Sequence, residues 1–102
     1  MELKFVIESL LFTSQKPLSV REIREILTNA AEKGEEETVK GFKKMKEVEI
    51  ENALTELERD HTQSGRSYYL ACVAGSWQFV TRPEYMPWLR SLFGVKTRPP
   101  RL

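Results

Sequence analysis

The chain has 102 residues, enough for one domain with a core of modest stability. Its 40% apolar and 30% charged residues are ordinary for a soluble globular protein. No apolar run approaches the roughly 20 residues that span a bilayer, and the start Met1-Glu2-Leu3-Lys4-Phe5 lacks the basic head and cleavage site of a secretory signal, so a membrane role is not expected. The one cysteine, Cys72, has no internal disulfide partner; it is expected to be a buried thiol in a strand of a cytoplasmic protein.

Net charge is only +1, but it is unevenly spread. Residues 1–65 hold 10 Lys/Arg against 14 Asp/Glu, and residues 66–102 hold 6 Lys/Arg against 1 acid. The basic last third could meet phosphates or an acidic partner, or simply face water.

Residues 2–13 predict a helix, with Leu3, Val6, Ile7, Leu10 and Leu11 along one buried face. Phe5 and Phe12 fall on the opposite side, with Met1 near them, so this helix is apolar on two sides. Ser19 with Glu22 three residues on is a capping box that starts a second helix, with Leu18 and Ile23 as a hydrophobic staple. Ile23, Ile26 and Leu27 mark its buried face.

From 28 to 46 the pattern weakens. A compact helix-turn-helix uses a turn of three or four residues, so this longer stretch is expected to be an insertion between helices 2 and 3. Ala30 and Ala31 can extend helix 2, and Val39, Phe42 and Met45 can form a short helix; partial disorder is the alternative. A third helix covers about 47–62, with Ile50, Ala53, Leu54 and Leu57 buried. His61 through Gly65 form its exit loop.

Two β-prone runs, Gly65 to Val73 and Ser76 to Arg82, flank the turn Ala74-Gly75 and predict a hairpin. Trp77 and Phe79 are its core-facing pair. Pro83 then opens a fourth helix with Tyr85, Trp88, Leu89, Leu92 and Phe93 on one face; Pro87 can distort it and Gly94 stops it. Residues 94–102 have no periodicity and are expected to be an extended linker. Three helices, a hairpin and a helix, in that order, make a mainly α winged helix-turn-helix over residues 1–93.

No catalytic constellation stands out. His61 has no second histidine or cysteine with which to share a metal, and neither its neighbour Asp60 nor Ser64 completes a nucleophile motif. No phosphate-binding glycine loop is present, so no cofactor is expected. An enzyme is not expected.

In a winged helix the third helix would read the major groove of DNA. Here residues 47–60 carry six acids and one base, with Asn52 alone suited to base edges. That charge repels a polyanion, though Arg66 and Arg82 in the wing could still touch phosphates. A DNA-binding transcriptional regulator is the alternative; protein binding is the leading expectation. Phe5, Glu8 and Phe12 are its candidate interface residues, unless Phe5 and Phe12 are covered by the hairpin or by the tail Pro99-Pro100-Arg101-Leu102.

These residues also resemble a family. Ile7-Glu8-Ser9-Leu10-Leu11-Phe12, Lys16-Pro17-Leu18-Ser19, Gly65-Arg66-Ser67-Tyr68-Tyr69-Leu70 and the run Val73 to Tyr85 are similar to segregation and condensation protein B (ScpB), and Arg98-Pro99-Pro100-Arg101-Leu102 resembles that family's inter-domain connection. The resemblance covers nearly all of the chain outside 28–46, a segment longer than that family's usual connection. It implies a non-enzymatic accessory subunit of the SMC–ScpA–ScpB complex, acting in chromosome condensation and segregation in the cytoplasm at the nucleoid. It also implies two tandem winged-helix domains: the first forms a homodimer, and the second grips the kleisin ScpA, which bridges the SMC heads. This chain would then be the first domain, with 94–102 leading to a second, and contact with ScpA and SMC would belong to the full-length protein. The family supplies no catalytic residues, cofactor or metal to carry over.

Overall fold

A computed structural model describes residues 1–34 and 36–94. The first periodic segment forms α1, Leu3–Thr13. The capping box is made as predicted: Glu22 N–H donates to the Ser19 hydroxyl at 3.1 Å, and Ser19 N–H donates to the Glu22 carboxylate at 2.9 Å. It starts α2, Val20–Lys33. After it come a one-turn helix α3, Glu37–Lys40, and the acidic helix α4, Glu47–Gln63.

Between helices 2 and 3 of the sequence reading, the structure therefore extends α2 through Ala30 and Ala31 and forms a short helix. That helix covers only Glu37–Lys40. Phe42 and Met45 lie beyond it in hydrogen-bonded turns and reach the edge of the core.

The hairpin is β2, Tyr68–Val73, and β3, Ser76–Thr81, paired from Tyr68↔Thr81 to Val73↔Ser76. A two-residue loop needs left-handed backbone at both positions, and Ala74 and Gly75 have φ of 54° and 80°. One strand was not predicted. Leu18–Ser19, β1, pairs antiparallel with β3 at Leu18↔Trp77 and Ser19↔Ser76, giving the sheet order β1-β3-β2. Two residues carry no periodicity of their own, and this strand exists only through its pairing with the wing.

The core gathers Ile7 and Leu11 from α1, Ile23 and Leu27 from α2, and Ile50, Leu54 and Leu57 from α4, closed by Leu18 and Leu70 from the sheet. Trp77 and Phe79 pack against it on the inward face of the hairpin, as expected. Cys72 shares that face through its pairing with Trp77, yet its side chain is exposed. The expected buried thiol is thus corrected: near the hairpin tip the sheet outruns the helices that cover its base.

The last segment divides at its prolines. Pro83–Tyr85 form a 3-10 turn, and Met86–Leu92 form α5 with Pro87 in its first turn. A proline there removes an N–H that would be unpaired anyway. The apolar face predicted here is present but not buried: Trp88 is 69% exposed and Leu92 75%. Residues 95–102, which hold most of the expected linker and the tail that might cover helix 1, lie outside the described residues. Among the described residues, no helix is long and apolar enough to cross a membrane.

Candidate protein-interaction surface

With Ile7 and Leu11 of α1 turned into the core, a turn of about 100° per residue sends Phe5 and Phe12 to the outer side and puts Glu8 at the edge of that side. The three expected interface residues therefore share one stripe. Phe12 is 78% exposed and Phe5 52%, so the hairpin does not cover them.

Glu8 is different. Its Oε2 lies 2.8 Å from Nε2 of His61, which is held in the last turn of α4. The sequence reading put His61 in the exit loop at the end of this helix; α4 continues through Gln63, so His61 sits within its last turn with its ring turned inward. His61 stacks at a ring-centroid distance of 4.9 Å from Phe79 and 5.4 Å from Tyr68. The ring thus ties α1, α4 and the hairpin together beneath the exposed stripe. The nearby Ser9 hydroxyl donates to the Val6 carbonyl at 2.7 Å.

A second link was not foreseen. Lys4 Nζ lies 2.7 Å from Glu56 and 3.1 Å from Asp60. The hydrogen bond to Glu56, then that to Asp60, pushes the Lys4 ammonium up to about 12. The spacing of the two acids was a usable signal, because carboxylates four apart on a helix share one face and call for a cation between them. Lys4 also sits 5.3 Å from the Phe5 ring centroid, which steadies that aromatic at the surface.

The outward side of α4 shows Glu47, Glu51, Asn52, Thr55 and Arg59. Glu47 approaches Arg24 at 3.7 Å, and Glu49 accepts the Lys46 N–H at 3.2 Å. Of the two wing cations, Arg82 is committed inside the domain. It donates to the Arg66 carbonyl at 2.7 Å and to the His61 and Thr62 carbonyls at 3.4 Å, and its guanidinium lies over Tyr69. It thereby serves carbonyls at the end of α4 that have no partner within the helix. Arg66 is the exposed wing cation and has no ion pair among the described residues.

A shallow groove of about 440 Å³ is lined by Phe12 and Leu11 of α1 and by residues of the hairpin, among them Tyr68, Phe79 and Thr81. Among the described residues no cluster of His, Cys, Asp and Glu could hold a metal ion.

The family model for segregation and condensation complex subunit ScpB matches residues 5–102. The chain belongs to the ScpB family. It is 32% identical over 101 residues to segregation and condensation protein B of Syntrophotalea carbinolica, covering 99% of this chain and 42% of that protein. It is 31% identical over 93 residues to the homolog from Coxiella burnetii, covering 91% and 38%. The chain thus spans about two fifths of the length of these curated ScpB relatives.

Solved structures share the fold. A dimer of the ScpB N-terminal domain complexed with ScpA peptide superposes with a TM-score of 0.64 at 24% identity, covering 87% of this chain and 91% of that one. ScpB from Mycobacterium tuberculosis gives 0.65 at 17%, covering 99% and 53%. At these identities the likeness bears on the fold, which is the winged helix expected from the order of elements.

Proposed function

We propose that this chain is the N-terminal winged-helix domain of an ScpB subunit and that it self-associates through the exposed stripe of α1. On this reading residues 94–102 lead to a second winged-helix domain. The full-length protein works without catalysis, with the kleisin ScpA and SMC, in chromosome condensation and segregation in the cytoplasm at the nucleoid. The observation that carries it is Phe12 at 78% and Phe5 at 52% exposure on one helix face. Large exposed aromatics are among the residues enriched in protein interfaces. The related ScpB N-terminal domain, solved as a dimer with ScpA peptide, supports the same reading.

The rival reading is a duplex-binding regulator. It would require the acidic outer side of α4 to approach phosphates, with Arg66 as the wing's uncommitted cation. Sedimentation velocity of the wild type and of the Phe5→Arg/Phe12→Arg double variant tests the interface. The wild type should sediment as a dimer and the folded variant as a monomer. A dimer that survives in the folded variant removes α1 from the contact. Tight duplex binding with a steep salt slope and strong sequence preference would favour the rival.

A further inference from the structure

We infer that the turn between α3 and α4 is a sequence-independent contact for the phosphates of duplex DNA, set apart from the acidic outer side of α4. Residues 38–46 hold four lysines, Lys40, Lys43, Lys44 and Lys46, and no acid. All four are exposed, and none takes part in an ion pair among the described residues. The contact requires neither a second copy of the chain nor a second domain.

The fold sets these lysines outward. Phe42 and Met45 lie between them in the chain and pack against the core. The Lys43 N–H donates to the Lys40 carbonyl at 3.1 Å and the Met45 N–H to the Phe42 carbonyl at 3.3 Å, so the run is folded into turns. The first acids of α4 are already engaged: Glu47 approaches Arg24 at 3.7 Å, and Glu49 accepts the Lys46 N–H at 3.2 Å. The Arg24 contact brings α2 alongside, and exposed Arg21 lines the same hollow as Arg24 and Glu47. Against these cations stand Glu25 in that hollow and the exposed Glu36 and Glu37 at the start of α3. The turn itself stays basic.

Such a run suits phosphates better than a protein surface. The apolar side chains of the turn, Phe42 and Met45, pack inward, so it offers no apolar centre to anchor a protein partner. Ammonium groups on flexible stems act as point charges and demand no fixed geometry of the ligand. Residues 40–46 span at most about 25 Å when extended, a length along which duplex DNA carries about 14 phosphates. All four lysines can therefore be engaged at once. Four neutralised phosphates give log K against log salt a slope of about −3.6, roughly a hundredfold loss between 50 and 200 mM. The free chain then releases DNA near physiological salt. Within the chromosome-condensing assembly proposed above, tethering raises the effective concentration toward millimolar, where a weak contact of this kind holds.

The test is fluorescence anisotropy of the chain with two labelled duplexes of unrelated sequence, from about 20 to 200 mM NaCl. Both duplexes should bind equally at low salt, with a slope of about −3 to −4. Lys43→Gln/Lys44→Gln should weaken both equally and flatten the slope by about two. Changing Lys40 and Lys46 to glutamine as well should leave no salt-dependent binding. Circular dichroism checks that each variant is folded, and Arg66→Gln should bind like the wild type. The inference is overturned by a wild type that binds no duplex at the lowest salt, or by lysine variants that keep its slope. A loss carried by Arg66→Gln instead moves the contact to the wing and overturns it too. So does a strong preference for one duplex, which points to base readout. Labelled polyglutamate is the competing probe: its capture without duplex binding assigns the turn to an acidic protein and overturns the inference. The lysine variants should self-associate like the wild type, so this contact and the α1 interface fail separately.

Discussion

Glu22 shows how one side chain can do two jobs at a helix start. Its carboxylate accepts from Lys16 Nζ at 2.8 Å and from the Ser19 N–H, and the Ser19 hydroxyl accepts the Glu22 N–H in return. The Lys16 hydrogen bond, then those with Ser19, hold the carboxyl down from 4.5 to about 2. A depressed carboxyl stabilises the fold above its unfolded value and loses that contribution as pH falls toward the folded one. The wild type should therefore lose stability between pH ~4.5 and ~2 beyond what a Glu22→Gln variant loses over the same range. Urea melts of both proteins at the two ends of that window check it, and parallel losses would contradict it. Lys4 works in the opposite sense: with its ammonium raised to about 12, its pairing with Glu56 and Asp60 persists below 10.5 and fades only as pH passes the raised value.

At the scale of elements, the hairpin turn is the place where residue choice and backbone disagree. Ala74 adopts a left-handed φ of 54°, which a Cβ disfavours, next to Gly75 at 80°, which accommodates it without cost. Asn is far better suited to the first position of such a turn, so Ala74→Asn should raise stability by about 0.5–1 kcal/mol. Thermal and urea denaturation measure this, and an unchanged or lower midpoint would contradict it. The elements that announced themselves did so through local chemistry. Ser19 and Glu22 marked the start of α2, the spacing of Ile50, Leu54 and Leu57 marked α4, and Ala74-Gly75 marked the hairpin. What stayed hidden depended on distant partners. Leu18–Ser19 became a strand only because Trp77 lay alongside. His61 turned inward because Glu8, Tyr68 and Phe79 formed a niche for it. Cys72 was exposed because the wing extends past its helices. The stripe of Phe5, Glu8 and Phe12 was legible from helical geometry, but the capture of Glu8 by His61 was not. The solvent exposure of α5 was equally out of reach, since an amphipathic pattern says which side is apolar and not what covers it.

At the scale of the molecule, an ordinary winged-helix scaffold has been given an unusual surface. The helix that would read DNA is acidic, with Glu56 and Asp60 bound to Lys4 and with Glu47 and Glu51 facing water. Arg82 in the wing is spent on closing the end of that helix. The large exposed apolar side chains lie instead mainly on α1 and α5, at opposite ends of the described chain. Such a surface suits contact with another protein, and membership of the ScpB family agrees with that. The most direct test is sedimentation equilibrium of the unaltered chain from micromolar to submillimolar concentration, with and without duplex DNA. The account predicts a species of twice the 11.9 kDa chain mass that dissociates on dilution and gains no DNA at physiological salt. A chain that stays monomeric throughout and acquires mass only when duplex is added would contradict it.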